Sequence, residues 1–535
     1  MKNFESLTLG QLLEKSAAES PDKVAIIDAD ARITYSQLNT SAEALAAGLA
    51  EMGFKKGDRV AIYMKNSLEL VTAFYALQKI GAIVVWINAI YRMSEALFIL
   101  RNSEARGLFI FSQWGGYDYL AKISEIKGEL THLEHVIVAG NGQSQDVTAY
   151  AQLIESGKGK ASPSVSMDPK EDLCMLLYTS GTTGKPKGAM ICHYAAVRAG
   201  WEYSVGIQAS SQDIFIGILP MSHSYGCGSI LIQPILLQST LVLMERFDVE
   251  KAFQLIEREK VSLQLGAPPH YIMELSHENR SKYDLSSLRA GLIAGMIAPE
   301  GLITQVEKEM GIYLTSFWGA SEVGPGLGTM CPYPSPLDIR EKYIGKPIPD
   351  TQMRVVDPVT HEELPDGQIG ELSLRGWHVM KGYWKNPEET RKQMVNGWIL
   401  MGDLASREND GFYKIYGRLK DLINRGGYKI YPYELESLIL EHPQVEQVCV
   451  VATPNPVLGE SICVCLIPQA GESLTLKDIR EFLRDKIAPH KLPDELCIMS
   501  DFPKLSGGVK LKKFGRGGLT ELAQKDENRE QIRKK

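Results

Sequence analysis

Eleven residues, Tyr178-Thr-Ser-Gly-Thr-Thr-Gly-Lys-Pro-Lys-Gly188, hold three glycines, three threonines, one serine and two lysines directly behind the apolar run LCMLL. That mixture suits a polyphosphate: glycines let backbone N–H groups come close, hydroxyls donate further hydrogen bonds, and lysines neutralise charge. The spacing is not that of the nucleotide-triphosphatase P-loop, because no glycine here opens the pattern Gly-x4-Gly-Lys-Ser/Thr. A polar surface turn would share this composition, so the loop's meaning rests on what accompanies it.

A phosphate loop needs a rigid edge to carry it, and the sequence around it alternates strands and helices. TYSQLNTSAEALAAGLAEMG reads as a helix, RVAIYM as a strand, LELVTAFYALQKIG as a helix and AIVVWIN as a strand. Strand, helix and strand in that order imply parallel pairing with helices on both faces. Beyond Gly188 the same grammar returns in DIFIGILP, STLVLME and VSLQLGAP. Over residues 345 to 416 it gives way to short strands punctuated by Gly, Pro and Asp (MRVVD, GELSLRG, GFYKIYG), the pattern of a small antiparallel barrel or sheet. After Arg418, the runs YELESLILEHPQVEQVCVVATP, ICVCLIP and LKDIREFLRDKI read as helix, strand, strand and helix, a small α+β domain. The closing QKDENREQIRKK is a charged tail.

With 535 residues the chain is too long for one ordinary core, so clefts between subdomains are expected. A hydrophobic share of 44% and a charged share of 23% are those of a soluble globular protein, and no apolar run predicts a membrane span. The opening MKNFESLTLGQLLEKSAAESP carries Glu5 and Glu14 in an amphipathic pattern and lacks the apolar stretch of a signal peptide. Eight cysteines without any CxxC pair fit neither a disulfide framework nor a zinc site and read as reduced thiols, so a cytoplasmic location is expected. A net charge of −7 argues against nucleic acid as the main partner.

The loop is followed in order by PMSHSYG at 220 to 226, WGASE at 318 to 322, GKPIP at 345 to 349, GYWKNPEET at 382 to 390, GWILMGD at 397 to 403, and DGFYKIYGRLKDLINRGGYKIYPYELE at 410 to 436. With these strings the chain resembles the adenylate-forming superfamily, which holds acyl- and aryl-CoA synthetases, peptide-synthetase adenylation domains and luciferases. It is most similar to the acyl- and aryl-CoA ligases. The resemblance implies an α/β fold whose large N-terminal domain, residues 1–419, has two doubly wound sheets and a small β-barrel. A mobile small α+β domain, residues 420–535, would turn on a hinge at Lys420. It also implies an ATP-dependent acid:CoA ligase that uses ATP, Mg²⁺ and coenzyme A: the carboxylate attacks ATP to give acyl-AMP and pyrophosphate, and the CoA thiol then displaces AMP.

Roles follow position by position from that resemblance. Thr179, Ser180, Gly181, Thr182, Thr183, Gly184, Lys185 and Lys187 would close over the β- and γ-phosphates. Gly295, Met296, Trp318 and Gly319 would lie along the adenine, Ser321 would bond phosphate, and Glu322 would help hold Mg²⁺. Asp403 would accept bonds from both ribose hydroxyls, and Arg418 would reach ribose or phosphate as a fork donor. His223, Tyr225 and Gly319 would border the acyl pocket, and Gly426, Gly427, Tyr428 and Lys429 would line the pantetheine tunnel. Read singly, Asp403 and Glu322 could equally be helix caps or surface acids, Trp318 a core aromatic, and His223 a core histidine.

The chain departs from the family pattern at its adenylation lysine. In Phe502-Pro-Lys-Leu-Ser-Gly-Gly-Val-Lys-Leu-Lys-Lys513, counting from Pro503 puts Val509 where Pro-x-Thr-x-x-Gly-Lys has its lysine. Either the glycine-rich loop has absorbed one residue and Lys510 is the catalytic cation, or the first half-reaction is crippled. Two rival readings follow: a stand-alone adenylation enzyme loading a carrier protein, which the segment IAPHKLPD resembles, and a non-catalytic acyl-adenylate or nucleotide-binding protein. Against the carrier-protein reading, those enzymes have His-Asn-Tyr where this chain has His223-Ser224-Tyr225. The carboxylic acid itself is not legible, and a homodimer is left open.

Overall fold

The helix Tyr35–Glu51 shows how local sequence sets the frame. Thr34 precedes it and accepts the Gln37 N–H at 3.2 Å, while the Gln37 side chain accepts the Thr34 N–H at 2.9 Å, a reciprocal cap. Its Leu38, Leu45 and Leu49 are buried, which is the stripe that a 3.6-residue period predicts. Helix Leu9–Glu19 starts in the same way on Thr8, and Leu68–Lys79 starts on Ser67, whose hydroxyl accepts the Leu70 N–H at 3.1 Å.

The computed structural model describes residues 6–140, 146–179, 186–408, 410–504, 511–514, 517–525 and 530–531. They form two compact units, one of Met1–Met353 with Leu374–Ile399, the other of Arg354–Ser373 with Leu400–Lys535. The chain passes between them within the strands Thr351–Val356, Gly370–Gly376 and Trp398–Arg407.

The first unit holds two seven-stranded sheets. One runs Lys187–Cys192, Leu173–Thr179, Ile83–Trp86, Arg59–Tyr63, Gly107–Phe111, His135–Ala139, Thr148–Ala149, parallel except for its first pair. The other runs Tyr313–Ser316, Ala290–Ile293, Leu263–Gly266, Ile214–Gly217, Thr240–Leu243, Val24–Asp28, Ala31–Thr34, parallel except for its last pair. Ile83–Trp86, Leu263–Gly266 and Ala290–Ile293 are buried along their whole length, as parallel strands covered on both faces must be. The expected α/β architecture with two wound sheets is present, and each sheet is mixed because of one antiparallel edge pair.

In the second unit, the strand segments 354–356, 370–373 and 400–407 with Tyr413–Arg418 belong to one sheet, a half-barrel, where the small barrel or sheet was expected from residues 345 to 416. A further sheet, ordered Tyr428–Ile430, Ile423–Arg425, Gly459–Pro468, Glu495–Ile498, Glu530–Gln531, has Val445–Asn455 paired on Gly459–Pro468. Helices Pro432–Leu440 and Leu476–Leu483 bury Leu435, Ile439, Ile479 and Leu483 in one core with its strands.

Candidate active site

The segment expected to hold phosphate is flanked by an antiparallel strand pair whose last register step is Thr179 opposite Lys187. Residues 180–185, which include Ser180, Gly181, Thr182, Thr183, Gly184 and Lys185, lie outside the described residues, as does Lys510. At the loop's foot the segment 381–384 lies along the returning strand. Lys381 and Trp384 donate N–H groups to Met190 O at 2.9 Å and Gly188 O at 2.8 Å, and Met190 donates back to Gly382 O at 2.9 Å. This backbone pairing presents Tyr383, and the helix Pro387–Gln393, capped by Asn386, presents Glu389 in its first turn.

Three residues expected at the phosphates meet here. The Glu322 carboxylate accepts the Tyr383 hydroxyl at 2.9 Å and the Thr179 hydroxyl at 3.5 Å. The Lys187 ammonium is paired with Glu389 and stands 5.3 Å from the centroid of the Tyr383 ring. Burial and the adjacent Glu322 carboxylate push the Tyr383 phenol far up, which keeps it protonated as the donor. Lysine hydrogen bonds from Lys187 and Lys392 hold Glu389 below the usual carboxylate range. Tyr383 and Glu389 belong to the GYWKNPEET string, but nothing in their spacing announces partners 61 and 202 residues away.

Glu322 ends a segment that also carries the pocket residues. Trp318 is buried; its backbone N–H donates to Thr329 Oγ1 at 3.0 Å, and its indole fills the space in front of Gly328, where a Cβ would sit 2.6 Å from the ring. Gly319 crosses Gly326 so closely that a Cβ would stand 1.8 Å from the Gly326 oxygen. Ser321 is half-buried. His223 opens the helical turn Ser224–Gly226, its Nδ1 accepting the Tyr225 N–H at 3.3 Å, and a buried π-type turn Cys227–Ile232 follows. Such turns recur at functional sites. Tyr225 donates its hydroxyl to Leu292 O at 3.1 Å and meets Phe317 edge-on at 4.8 Å. Tyr203 completes an aromatic wall with Phe317 at 5.4 Å, its hydroxyl donating to Pro325 O at 3.0 Å. Gly295, at φ +92°, and the half-exposed Met296 follow the strand Ala290–Ile293.

The second unit carries the remaining residues. Asp403 and Arg418 face each other across a strand pair, with Arg418 Nε 2.8 Å from Asp403 Oδ1. Lys420 lies in the turn Leu419–Asp421, its ammonium 5.5 Å from the Phe514 ring. Gly426 and Gly427 form a two-residue hairpin between Arg425 and Tyr428, both at positive φ (59° and 88°). That is the conformation of a type I′ turn, so the hairpin alone demands glycines here. Tyr428 stacks on His490 at 4.4 Å, Lys429 is exposed, and Arg425 grips Asp494 through two bonds of 2.7 and 2.6 Å.

Residues 13–384 match the model of the AMP-binding enzymes, and residues 434–508 match that of the AMP-binding enzyme C-terminal domain. The chain belongs to the AMP-binding enzyme family. Among its relatives within this family, a long-chain-fatty-acid–CoA ligase of Bacillus subtilis is 30% identical over 95% of this chain and 93% of its own. A mitochondrial medium-chain acyl-CoA ligase of Mus musculus is 30% identical over 95% and 86%. The crystal structure of the anthranilate CoA ligase AuaEII with anthranoyl-AMP superposes with a TM-score of 0.86 at 26% identity, covering 95% and 97%. This AMP-binding enzyme is an ATP-dependent acid:CoA ligase that forms AMP and uses ATP, Mg²⁺ and CoA. The donors at Glu322 fit Mg²⁺. Among the described residues no group of three or more His, Cys, Asp or Glu could hold a metal by itself. A single carboxylate beside a phosphate loop is the protein's usual share of a Mg²⁺ site, the remaining ligands being water and substrate phosphates.

Proposed function

We propose that this ligase activates an apolar monocarboxylic acid, aromatic or of medium chain length, through two half-reactions served in turn by one site. The observation that carries this reading is the buried cluster of Tyr203, Tyr225 and Phe317 beside His223: both phenol hydroxyls are spent on backbone carbonyls, so an acyl group packed against this cluster would meet no free polar group on its rings. The ligases among its relatives take long-chain fatty acids, medium-chain acids and anthranilate, which agrees with such a cluster.

In the first half-reaction the acid's carboxylate oxygen bonds to the α-phosphorus of ATP and the bond to pyrophosphate breaks. No proton has to move, so the site's task is to place the reactants and offset charge. Lys187 and the loop residues 179–185 take the β- and γ-phosphates, Asp403 takes the ribose hydroxyls with Arg418 beside it, and Lys510 is the cation assigned to the reacting carboxylate. Glu322 holds Mg²⁺, which when bound neutralises charge on the pyrophosphate. In the second half-reaction the CoA thiol sulfur bonds to the acyl carbon and AMP leaves with the bonding electrons, while the thiol proton passes to solvent. The domain boundary is placed at 419/420, with rotation at Lys420 bringing Gly426 to Lys429 toward the thiol arm. All eight cysteines are buried free thiols, the state kept by a reducing compartment, so the enzyme is assigned to the cytoplasm. No helix among the described residues is long and apolar enough to cross a membrane.

The test is AMP and pyrophosphate release with octanoate, benzoate and succinate in parallel, with and without CoA. Octanoate or benzoate should exceed succinate by roughly 100-fold, because burying an unpaired second carboxylate against apolar rings is strongly unfavourable. Preference for succinate refutes the reading of the pocket.

A further inference from the structure

The turn Leu419–Asp421 joins the strand Tyr413–Arg418 to the strand Ile423–Arg425. On it, Asp421 pairs with Lys513, which also pairs with Glu436. Lys513 Nζ lies 3.0 Å from Glu436 Oε1 and 3.9 Å from Asp421 Oδ2, and the three side chains keep only 20%, 18% and 17% of their surface exposed. Glu436, on the helix Pro432–Leu440, is held in turn by the Val450 N–H at 2.8 Å. The second Asp421 oxygen, Oδ1, is buried without a hydrogen-bond partner among the described residues. One residue further along, Phe514 lies under the Lys420 ammonium. Segment 511–514 is itself anchored. Leu511 bridges Lys504, Lys512 donates its N–H to Pro503 O at 2.7 Å, and Leu519 donates to Lys512 O at 2.8 Å.

An ion cluster taken this far out of water is weak evidence for stability, since apolar side chains of similar volume often stabilise a protein as well or better. What a lysine adds and an apolar side chain cannot is a directional tie between specific partners. We infer that Lys513 is a positioning residue for the two-step reaction, its ammonium tying Asp421 on the turn after Lys420 to Glu436, so that this side of the hinge turns as one piece with the segment following Lys510. The inference rests on the reading of Lys420 as the hinge.

The experiment uses the full-length enzyme as wild type, Lys513→Met, Lys513→Arg and Lys420→Pro. Acid-dependent pyrophosphate exchange and thioester synthesis from preformed acyl-adenylate are measured, with octanoate and octanoyl-adenylate, or benzoate and its adenylate where benzoate is the better substrate. Lys513→Met should change the ratio of the two half-reactions by roughly 10- to 100-fold, the scale of about 1 Å of misplacement of a reacting group. Lys513→Arg should bring the ratio back to within a few-fold of wild type. Both half-reactions falling in parallel with the thermal midpoint, or neither changing, overturns the inference. Should Lys513→Met fail to fold, Asp421→Asn removes only the hinge end of the tie at constant shape and is judged by the same ratio. If Lys420→Pro, which fixes φ near −65°, leaves both half-reactions as they are, the hinge reading itself fails. If Lys420→Pro separates them and the Lys513 variants do not, only the positioning role fails.

Discussion

Replacing Asp403 tests the nucleotide end of the site most sharply, because the structure separates its effect on ATP from its effect on folding. The side chain is 7% exposed and receives Arg418 Nε at 2.8 Å, so the carboxylate is oriented before any nucleotide arrives. Two ribose hydroxyls donating to it would make two charge-assisted bonds of about 1.5 to 3 kcal/mol each. Asp403→Ala then loses roughly 3 to 6 kcal/mol of interaction with ATP, or about 10² to 10⁴-fold in kcat/KM for ATP. The pairing with Arg418 contributes far less to stability, since that guanidinium is half exposed, and such pairs contribute about 0 to 1 kcal/mol. Asp403→Asn keeps the volume and one acceptor oxygen, so it should fall between wild type and Ala in ATP use while unfolding close to the wild-type temperature. The assays are acid-dependent pyrophosphate exchange over a range of ATP concentrations and a thermal melt. If Asp403→Ala keeps KM and kcat for ATP within a few-fold of wild type, the ribose assignment is wrong. If ATP use and thermal midpoint fall in step from Asn to Ala, Asp403 is a structural acid.

Lys510→Ala should cut acid-dependent pyrophosphate exchange about 100- to 1000-fold, the usual cost of removing one transition-state donor, while sparing thioester formation from synthetic acyl-adenylate; normal exchange moves attention to Lys504 or Lys512. Val509→Lys should add nothing if the loop has shifted register, whereas a gain in activity marks a crippled first half-reaction. Gly319→Ala forces a Cβ to within 1.8 Å of the Gly326 oxygen, so it should cost about 1 to 3 kcal/mol by overpacking and lower kcat through the segment that carries Glu322; an unchanged melt and rate would show that the two backbones part freely. Glu274 is fully buried, and burial pushes its carboxyl up to about 8 against the opposing pull of the Gln264 amide. The folded chain therefore keeps a proton that the unfolded chain loses near pH 4.3, so this residue's share of stability is full below that pH, falls by at most about 1.4 kcal/mol per unit as pH rises, and is gone above about 8. Relative to wild type, Glu274→Gln should gain thermal stability steadily from pH 5 to 8, and an offset independent of pH refutes the assignment.

The parallel sheets were legible because runs such as AIVVWIN and VSLQLGAP alternate with helical periodicity. The place of Val24–Asp28 was not. It pairs with Thr240–Leu243, more than two hundred residues away, and no local pattern encodes a partner at that distance. The half-barrel was legible as short punctuated strands, but whether its edges meet is a matter of tilt and stagger that strand lengths do not report. Gly426-Gly427 was read as room for a thiol arm, yet its two positive φ values already follow from a two-residue hairpin. The glycines are therefore explained before any ligand is considered, and the case for CoA at this turn rests on Tyr428 and Lys429.

Tyr383 and Glu389 show why part of the site stayed hidden. Each lay within a recognised string, but their significance is relational. The ring of Tyr383 faces the Lys187 ammonium while its hydroxyl reaches the Glu322 carboxylate, so one side chain fixes the separation of the cation and the acid. Glu389 holds Lys187 from the other side. A lysine gripped in this way would lose little rotamer freedom on meeting the phosphate proposed for it, and that is where preorganised charge has its advantage over charge recruited from solvent. The arrangement suits chemistry in which no proton moves. The buried His193 and His270 are lowered by burial to about 4, and His378 to about 3. None of the three can shuttle protons near neutrality, and adenylation asks none of them to.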